Sequence, residues 1–506
     1  MNPTLALGLI LGYFALLVLI SWLTSRRADA QTFFTANRNS PWYVVAFGMI
    51  GASLSGVTFI SVPGAVGTGA WSYFQVVLGY LVGYAVIAFI LMPLYYRLNL
   101  TSIYGYLEQR YGIQAYRSGS VLFIISRIVG ASLRLYLVAL VLQLAVADAF
   151  GVPFPLTVLI SISLIYLYTF RAGIKTVVWT DTLQTAAMLI GAGLTVWIIG
   201  QEMGWTLGEL WEAVQQSSYS DIWVWDWQPG NNFFKQFMSG AAIATVMTGL
   251  DQDMMQKNLT IRTLGEAQRN VLLFSVILIL ANLLFLSLGT LLYLHGSSTG
   301  AIVPVFSETC AIQLPDGSCL ATDELFPYLA LNHLGPLAAV VFILGVIAAA
   351  YSSADSALTA LTTAFCVDLL RFEEKDDESW KRRTRYLVHV GFAGVLLLVI
   401  LAFAALNDRA VINAVFTAAG YTYGPLLGLY AFGLYVKRQA HDQAIPWICL
   451  LSPLISYAIA HFSPQLIGYR FGFEILILNG LLTFTGLYAV SEAPKDRGEQ
   501  PPVQGS

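Results

Sequence analysis

Charge is scarce in this chain. Of its 506 residues only 11% are Asp, Glu, Lys or Arg, and 57% are hydrophobic. A soluble domain carries about twice that charge, and no polar block here is long enough to form one. Cysteine is rare, with four residues, and histidine has five. No Cys-x-x-Cys pair or histidine cluster suggests a structural metal. The Gly-rich phosphate loop ending in Lys, the nucleophile elbow and the HExxH pattern are also missing. Soluble catalysis and ATP-driven transport by this chain alone are therefore not expected, and the protein is not read as an enzyme. The net charge of −3 offers nothing toward nucleic acid, and no obligatory protein partner is implied.

What the chain has in abundance is apolar runs of roughly 20 residues, each long enough to cross a ~30 Å hydrocarbon core. Hydropathy assigns spans at about 5–24, 42–67, 74–97, 118–147, 155–170, 176–200, 234–256, 268–295, 337–370, 386–406, 410–436, 445–462 and 471–491. This predicts an all-α polytopic membrane protein with about 13 transmembrane helices. The first run reads as a retained span rather than a signal peptide, because no basic residue precedes it and Arg26 and Arg27 follow it. Of the 26 Lys and Arg, 21 then fall in, or at the edges of, one set of alternating loops. Only Lys235, Arg409 and Arg470 fall on the other side, while Arg127 and Arg134 lie within a span. The positive-inside rule puts the N-terminus outside and the C-terminus in the cytoplasm of a plasma or inner membrane. The same topology places Cys310 and Cys319 outside, where an oxidising compartment permits a disulfide. Cys366 and Cys449 sit in spans as packing residues, and the tail from 492 to 506 reads as disordered.

Polar groups inside hydrocarbon are costly and mark cavities or partners. Four stretches carry them. In AAAYSSADSALTA, residues 348–360, Ser352, Asp355, Ser356 and Thr359 share one helical face, flanked by Ser353. Their oxygens suit a small hard cation; the serines alone would also suit close helix packing, which does not need the carboxylate. The span FGMIGASLSGVTFISVPGAVG is interrupted by Gly48, Gly51, Gly56, Pro63 and Gly64. It makes a poor continuous helix, and unwound backbone at membrane depth is tolerated only in a protein interior or cavity wall. In KTVVWTDTLQTAAMLIGAG, Asp181, Gln184 and Thr185 share a face. In SRIVGASLRLYLVALVLQLA, Arg127 and Arg134 lie roughly two turns apart on one face. Arg127 reads as a partner for a carboxylate. Arg134 lies deeper, where it suits either a buried pair or bidentate capture of a carboxylate substrate.

GASLSGVTFISVPGA, RAGIKTVVWTDTLQT and AAAYSSADSALTALTTAF, in this order, resemble the sodium/solute symporter family over nearly the whole chain. The family contains sodium-coupled proline, sialic acid, iodide and sugar transporters. The resemblance implies a LeuT-like core of inverted five-helix repeats. Residues 1–41 would form a leading helix and basic loop, 42–200 the first repeat, and 201–233 an extracellular loop. Residues 234–436 would form the second repeat, opened by a broken helix at SGAAIATVMTGLDQD, and 437–491 two trailing helices.

It further implies a main Na⁺ site made by the carbonyls of Gly51, Leu54 and Ala349 and the hydroxyls of Ser352 and Ser353. A second Na⁺ or proton site would use Asp181, Asp355 and Ser356, with the family's usual serine replaced by Asp355. The substrate site would be lined by Ser53, Ser55, Thr58, Phe74, Gln75, Thr245, Thr248 and Tyr421. The expected activity is sodium-coupled import of a small organic solute, an amino acid, carboxylate or sugar acid, by alternating access across the bilayer. A proton-coupled symporter of the same fold and a transporter-like membrane sensor are the alternatives.

Overall fold

The computed structural model describes residues 3–24, 30–170, 173–307, 310–406 and 411–493. Arg26, Arg27, Arg409 and the tail from 494 onward lie outside the described residues. The chain is a helical bundle. Its main elements are α1 (Pro3–Thr24), α2 (Trp42–Gly69), α3 (Tyr73–Val86), α4 (Ile113–Leu142), α5 (Phe154–Thr169) and α6 (Ile174–Met203). There follow α7 (Phe233–Ala244), α8 (Gln252–Asn258), α9 (Leu264–Ser298), α10 (Gly335–Ala364) and α11 (Glu378–Leu406). Last come α12 (Val411–Thr422), α13 (Gly424–Tyr435), α14 (Ile445–Ile467) and α15 (Ile475–Ala489). Among the described residues, eight helical stretches are long and apolar enough to cross a membrane. α5, α13 and α15 are apolar but shorter, at 16, 12 and 15 residues. The expected span 410–436 is divided between α12 and α13, where Pro425 lacks the N–H that a continuous helix would use.

At the centre stands α10. Every residue from 345 to 364 is buried, so this helix meets protein on all sides rather than lipid. Its neighbours are α2, α4 and α6. Small residues make that approach possible. A Cβ on Gly345 would stand 2.5 Å from the ring of Phe59, and one on Gly51 would stand 2.5 Å from Thr185 Oγ1. The α3–α7 contact is closer still. A Cβ on Gly79 would fall 2.1 Å from the Phe237 carbonyl oxygen, and one on Gly240 would fall 2.1 Å from that of Val76.

Two helices are interrupted in the interior. In α2 the break falls at Ser55, with φ 33° and ψ 175°, and not at one of the flanking glycines. A non-glycine residue in that region costs on the order of 1–3 kcal/mol, which the surrounding packing must offset. The second break separates α7 from α8. A wide turn over Thr245–Gly249 leads to Leu250 (φ −109°, ψ 13°) and to extended Asp251. The freed carbonyls are not left bare: Tyr95 donates to Gly249 at 2.7 Å and Tyr104 to Leu250 at 2.9 Å. Asp251 caps the restart, accepting from the amides of Asp253 and Met254 at 2.9 and 3.2 Å.

Outside the helices, Cys310 and Cys319 are joined by a disulfide, with Cα atoms 5.5 Å apart. They lie in a segment whose short strands Val303–Pro304, Ile312–Gln313 and Cys319–Leu320 form a small antiparallel sheet. Cys366 and Cys449 are buried free thiols.

Candidate ion and solute sites

The break in α2 faces the serine pair of α10. Ser353 Oγ donates to the Ala52 carbonyl oxygen at 3.3 Å, and Ser352 Oγ to that of Ala349 at 3.2 Å. A Cβ on Gly51 would meet Ser352 Oγ at 3.4 Å. On the other flank, the Gly51 amide donates to Thr185 Oγ1 at 2.9 Å, and that hydroxyl donates to the Gly48 carbonyl at 3.3 Å. Thr185 thus ties α6 to α2 one residue before the junction with Ser353. Ala349, Ser352 and Ser353 stand against the α2 break, and the carbonyl that Ser353 engages is that of Ala52, between the expected Gly51 and Leu54.

One turn further along α10, Asp355 and Ser356 approach α6. Ser356 Oγ donates to Asp181 Oδ2 at 3.5 Å. Asp355 Oδ2 accepts from Tyr168 at 3.0 Å and Thr180 at 3.5 Å, and its Oδ1 accepts from the Ser356 amide at 2.6 Å. A residue that sequence reasoning left in a cytoplasmic loop completes the cluster. Lys257, on α8, places its ammonium 2.7 Å from Asp181 Oδ2. It is 1% exposed. The signal was there to be used: Lys257 stands one residue past the assigned end of a span, and a broken helix places its second half in the interior.

A cavity opens beside the α2 break. Ser53, Ser55, Thr58, Arg134 and Thr248 line it, together with Tyr73, Tyr80 and Tyr84 of α3. The other four expected residues do not. Gln75 is fully buried and clamps a loop, donating to the carbonyls of Ser72 and Asn231 at 3.2 and 2.9 Å and accepting from the Val224 amide at 3.2 Å. Phe74 packs in the core, and Thr245 donates back to Ala241 at 2.8 Å. Tyr421 packs its ring 6.0 Å from that of Tyr457. The reason for the first two is helical phase. Residues 73, 80 and 84 repeat at intervals of seven and four and share one face, whereas 74 and 75 are turned roughly 100° and 200° away. That tyrosine stripe was readable in the sequence and was not used.

The two arginines divide. Arg127 is paired with Asp253, and its second nitrogen lies 3.8 Å from Asp251. Asp251 also accepts from the Tyr423 hydroxyl. Arg134 is buried against the cavity and makes no ion pair or hydrogen bond among the described residues. The cavity therefore presents one guanidinium with its donor fork unspent.

A helical bundle with helices long and apolar enough to cross a membrane, and with two broken helices lining a polar centre, defines a membrane transporter. The sequence model of the sodium:solute symporter family matches residues 33–446, and the chain belongs to that family. It is a multi-pass carrier that couples movement of an organic solute to Na⁺, and not an enzyme. Among its relatives is the sodium/sialic acid symporter SiaT of Proteus mirabilis. The two are 24% identical over 487 residues, which cover 92% of this chain and 91% of the relative. The human sodium/iodide cotransporter is 25% identical over 443 residues, covering 84% of this chain and 65% of the cotransporter. Among solved structures, a Na⁺-coupled sialic acid symporter in a substrate-bound outward-open state superposes with a TM-score of 0.79 at 19% identity. The match covers 96% of this chain and 98% of that one. The inward-facing conformation of Mhp1 gives 0.53 at 16% identity, over 90% and 92% of the two chains. These likenesses establish a shared LeuT-type fold.

Proposed function

We propose that this carrier imports a small carboxylated solute with Na⁺ by alternating access. The observation that carries the reading is the position of Ala52. Its carbonyl accepts from Ser353, and the same residue lines the cavity beside Arg134. Ion and solute would then share a wall. A sodium between α2 and α10, held by Ser352, Ser353 and the carbonyls around the break, would fix that wall in its binding shape. Solute bound against the same wall would hold the ion in turn, so each raises the affinity for the other.

Arg134 suggests the class of solute. A guanidinium offers a planar donor fork that matches a carboxylate, and the three tyrosines beside it offer apolar rings with polar tips. Sialic acid, named for the Proteus relative, carries such a carboxylate. Lactate and proline do as well. The proposed arrangement places the N-terminus outside and the C-terminus in the cytoplasm. Residues 42–200 and 234–436 form the two repeats, each opening with one of the broken helices.

The test is uptake into proteoliposomes of labelled N-acetylneuraminate, lactate and proline, with external NaCl or choline chloride at fixed pH. Accumulation of a carboxylate only in NaCl is expected. Equal accumulation in choline would overturn sodium coupling and favour protons as the driving ion.

A further inference from the structure

The buried cluster next to Ser352 and Ser353 already includes a cation that belongs to the chain. Lys257, Asp181, Asp355 and Ser356 are each 0–1% exposed, and the Lys257 ammonium sits 2.7 Å from Asp181 Oδ2. The ammonium occupies the Asp181 oxygen that a cation would use, and Asp355 spends its oxygens on Tyr168, Thr180 and the Ser356 amide. Ser352 and Ser353 stand one turn away on the same helix, roughly 4.5 Å along its axis. A second sodium beside Asp181 would meet an ammonium already in contact with the same carboxylate, and like charges that close repel.

Oxygen ligands are not what the cluster is short of. Asp181 Oδ1 and Thr359 Oγ1 are buried and have no hydrogen-bond partner among the described residues. Asp181 keeps a whole carboxylate oxygen unspent, while Ser356 approaches the other at 3.5 Å. The feature opposed to a further ion is the charge of Lys257. We infer that Lys257 is a tethered cation standing where a second sodium would bind, and that it limits this carrier to one Na⁺ per cycle. The inference rests on the reading of Ser352 and Ser353 as the sodium site. It adds what sets the stoichiometry: the charge of one side chain from the broken helix of the second half, placed against α6 and α10.

The experiment is direct counting of bound ²²Na⁺ on the purified full-length protein, with a NaCl titration followed by thermal shift against choline chloride. The wild-type chain should bind one ion with a Hill coefficient near one. Lys257→Met keeps the bulk and removes the charge; it should bind two ions, with the coefficient rising above one. Lys257→Arg should remain at one. Ser352→Ala with Ser353→Ala should bind none in the wild-type background and one in the Lys257→Met background. Two ions on the wild-type chain, or one on a folded Lys257→Met chain, would overturn the inference and leave the serine site standing. Undiminished binding by the double serine variant would instead remove the serine site. If Lys257→Met does not fold, Lys257→Gln replaces it, and the wild-type count still decides.

Discussion

The hydroxyl of Ser353 reaches the main-chain carbonyl of Ala52, 301 residues earlier in the chain, at 3.3 Å. Neither group would face the other if α2 ran as an uninterrupted helix, because its carbonyls would be spent on their own amides. The break at Ser55 and the serine pair of α10 are therefore two halves of one device.

Removing that device should separate ion binding from folding. Ser353→Ala should raise the half-saturating Na⁺ concentration at least about tenfold, equivalent to about 1.4 kcal/mol, and the Ser352→Ala, Ser353→Ala double variant should abolish the Na⁺-dependent thermal shift. Gel filtration should show both variants monodisperse. A double variant with an unchanged Na⁺ response would rule out the hydroxyls as ligands.

Gly51→Ala should be far more damaging than its one methyl group suggests. The new Cβ would stand 2.5 Å from Thr185 Oγ1, the acceptor of the Gly51 amide. Overpacking of this kind costs about 1–3 kcal/mol, so melting temperature in detergent should fall measurably. Thr185→Ala in the same chain should recover part of the loss by removing the clash. A Gly51→Ala protein as stable as wild type would show that α2 and α6 can separate freely.

Arg134→Gln should eliminate uptake of the carboxylated solute while leaving Na⁺-induced stabilisation within about twofold of wild type. Arg134→Lys keeps the charge but loses the planar fork and should recover only part of the uptake. Arg127→Gln differs in kind, because it strands Asp253 and Asp251 in the interior. It should lower stability, by about 3–5 kcal/mol for a broken buried pair. Equal effects of the two arginine substitutions on stability would contradict the separate roles.

Gln75 fastens the loop around Val224 and Asn231. Gln75→Ala should speed proteolytic cutting within residues 220–232 and leave Na⁺ affinity unchanged. No change in cutting would mean that the loop is held by its aromatic contacts instead.

The Cys310–Cys319 disulfide provides a marker for orientation. After mild reduction of intact cells, a membrane-impermeant maleimide should label both thiols. Labelling only after lysis would reverse the proposed orientation.

Hydropathy made much of this architecture legible. The run assigned at 42–67 is the helix Trp42–Gly69, and that at 268–295 lies within Leu264–Ser298. Serines and an aspartate in a buried helix also announced themselves, since hydrocarbon gives no reason for them. Two kinds of information were hidden. The exact residue that breaks α2 was obscured because glycine is the expected choice, whereas packing enforces the break at Ser55. The cationic partner from α8 was hidden by its place in the chain: Lys257 follows the assigned end of the span at 256 and read as the start of a solvated loop, and only the tertiary fold returns it to the interior. Gln75 misled for a related reason, since a polar residue in a span can serve a loop above it as readily as a ligand beside it.

Gly79 and Gly240 bring two main chains together with no side chain between them. Contacts made by long side chains can be remade by switching rotamers; backbone pressed on backbone has no such slack. In the proposed alternating-access cycle, α3 and α7 would tilt as a single stiff beam, and the flexing that exposes the cavity to each side of the bilayer would fall to the unwound segments at Ser55 and Leu250.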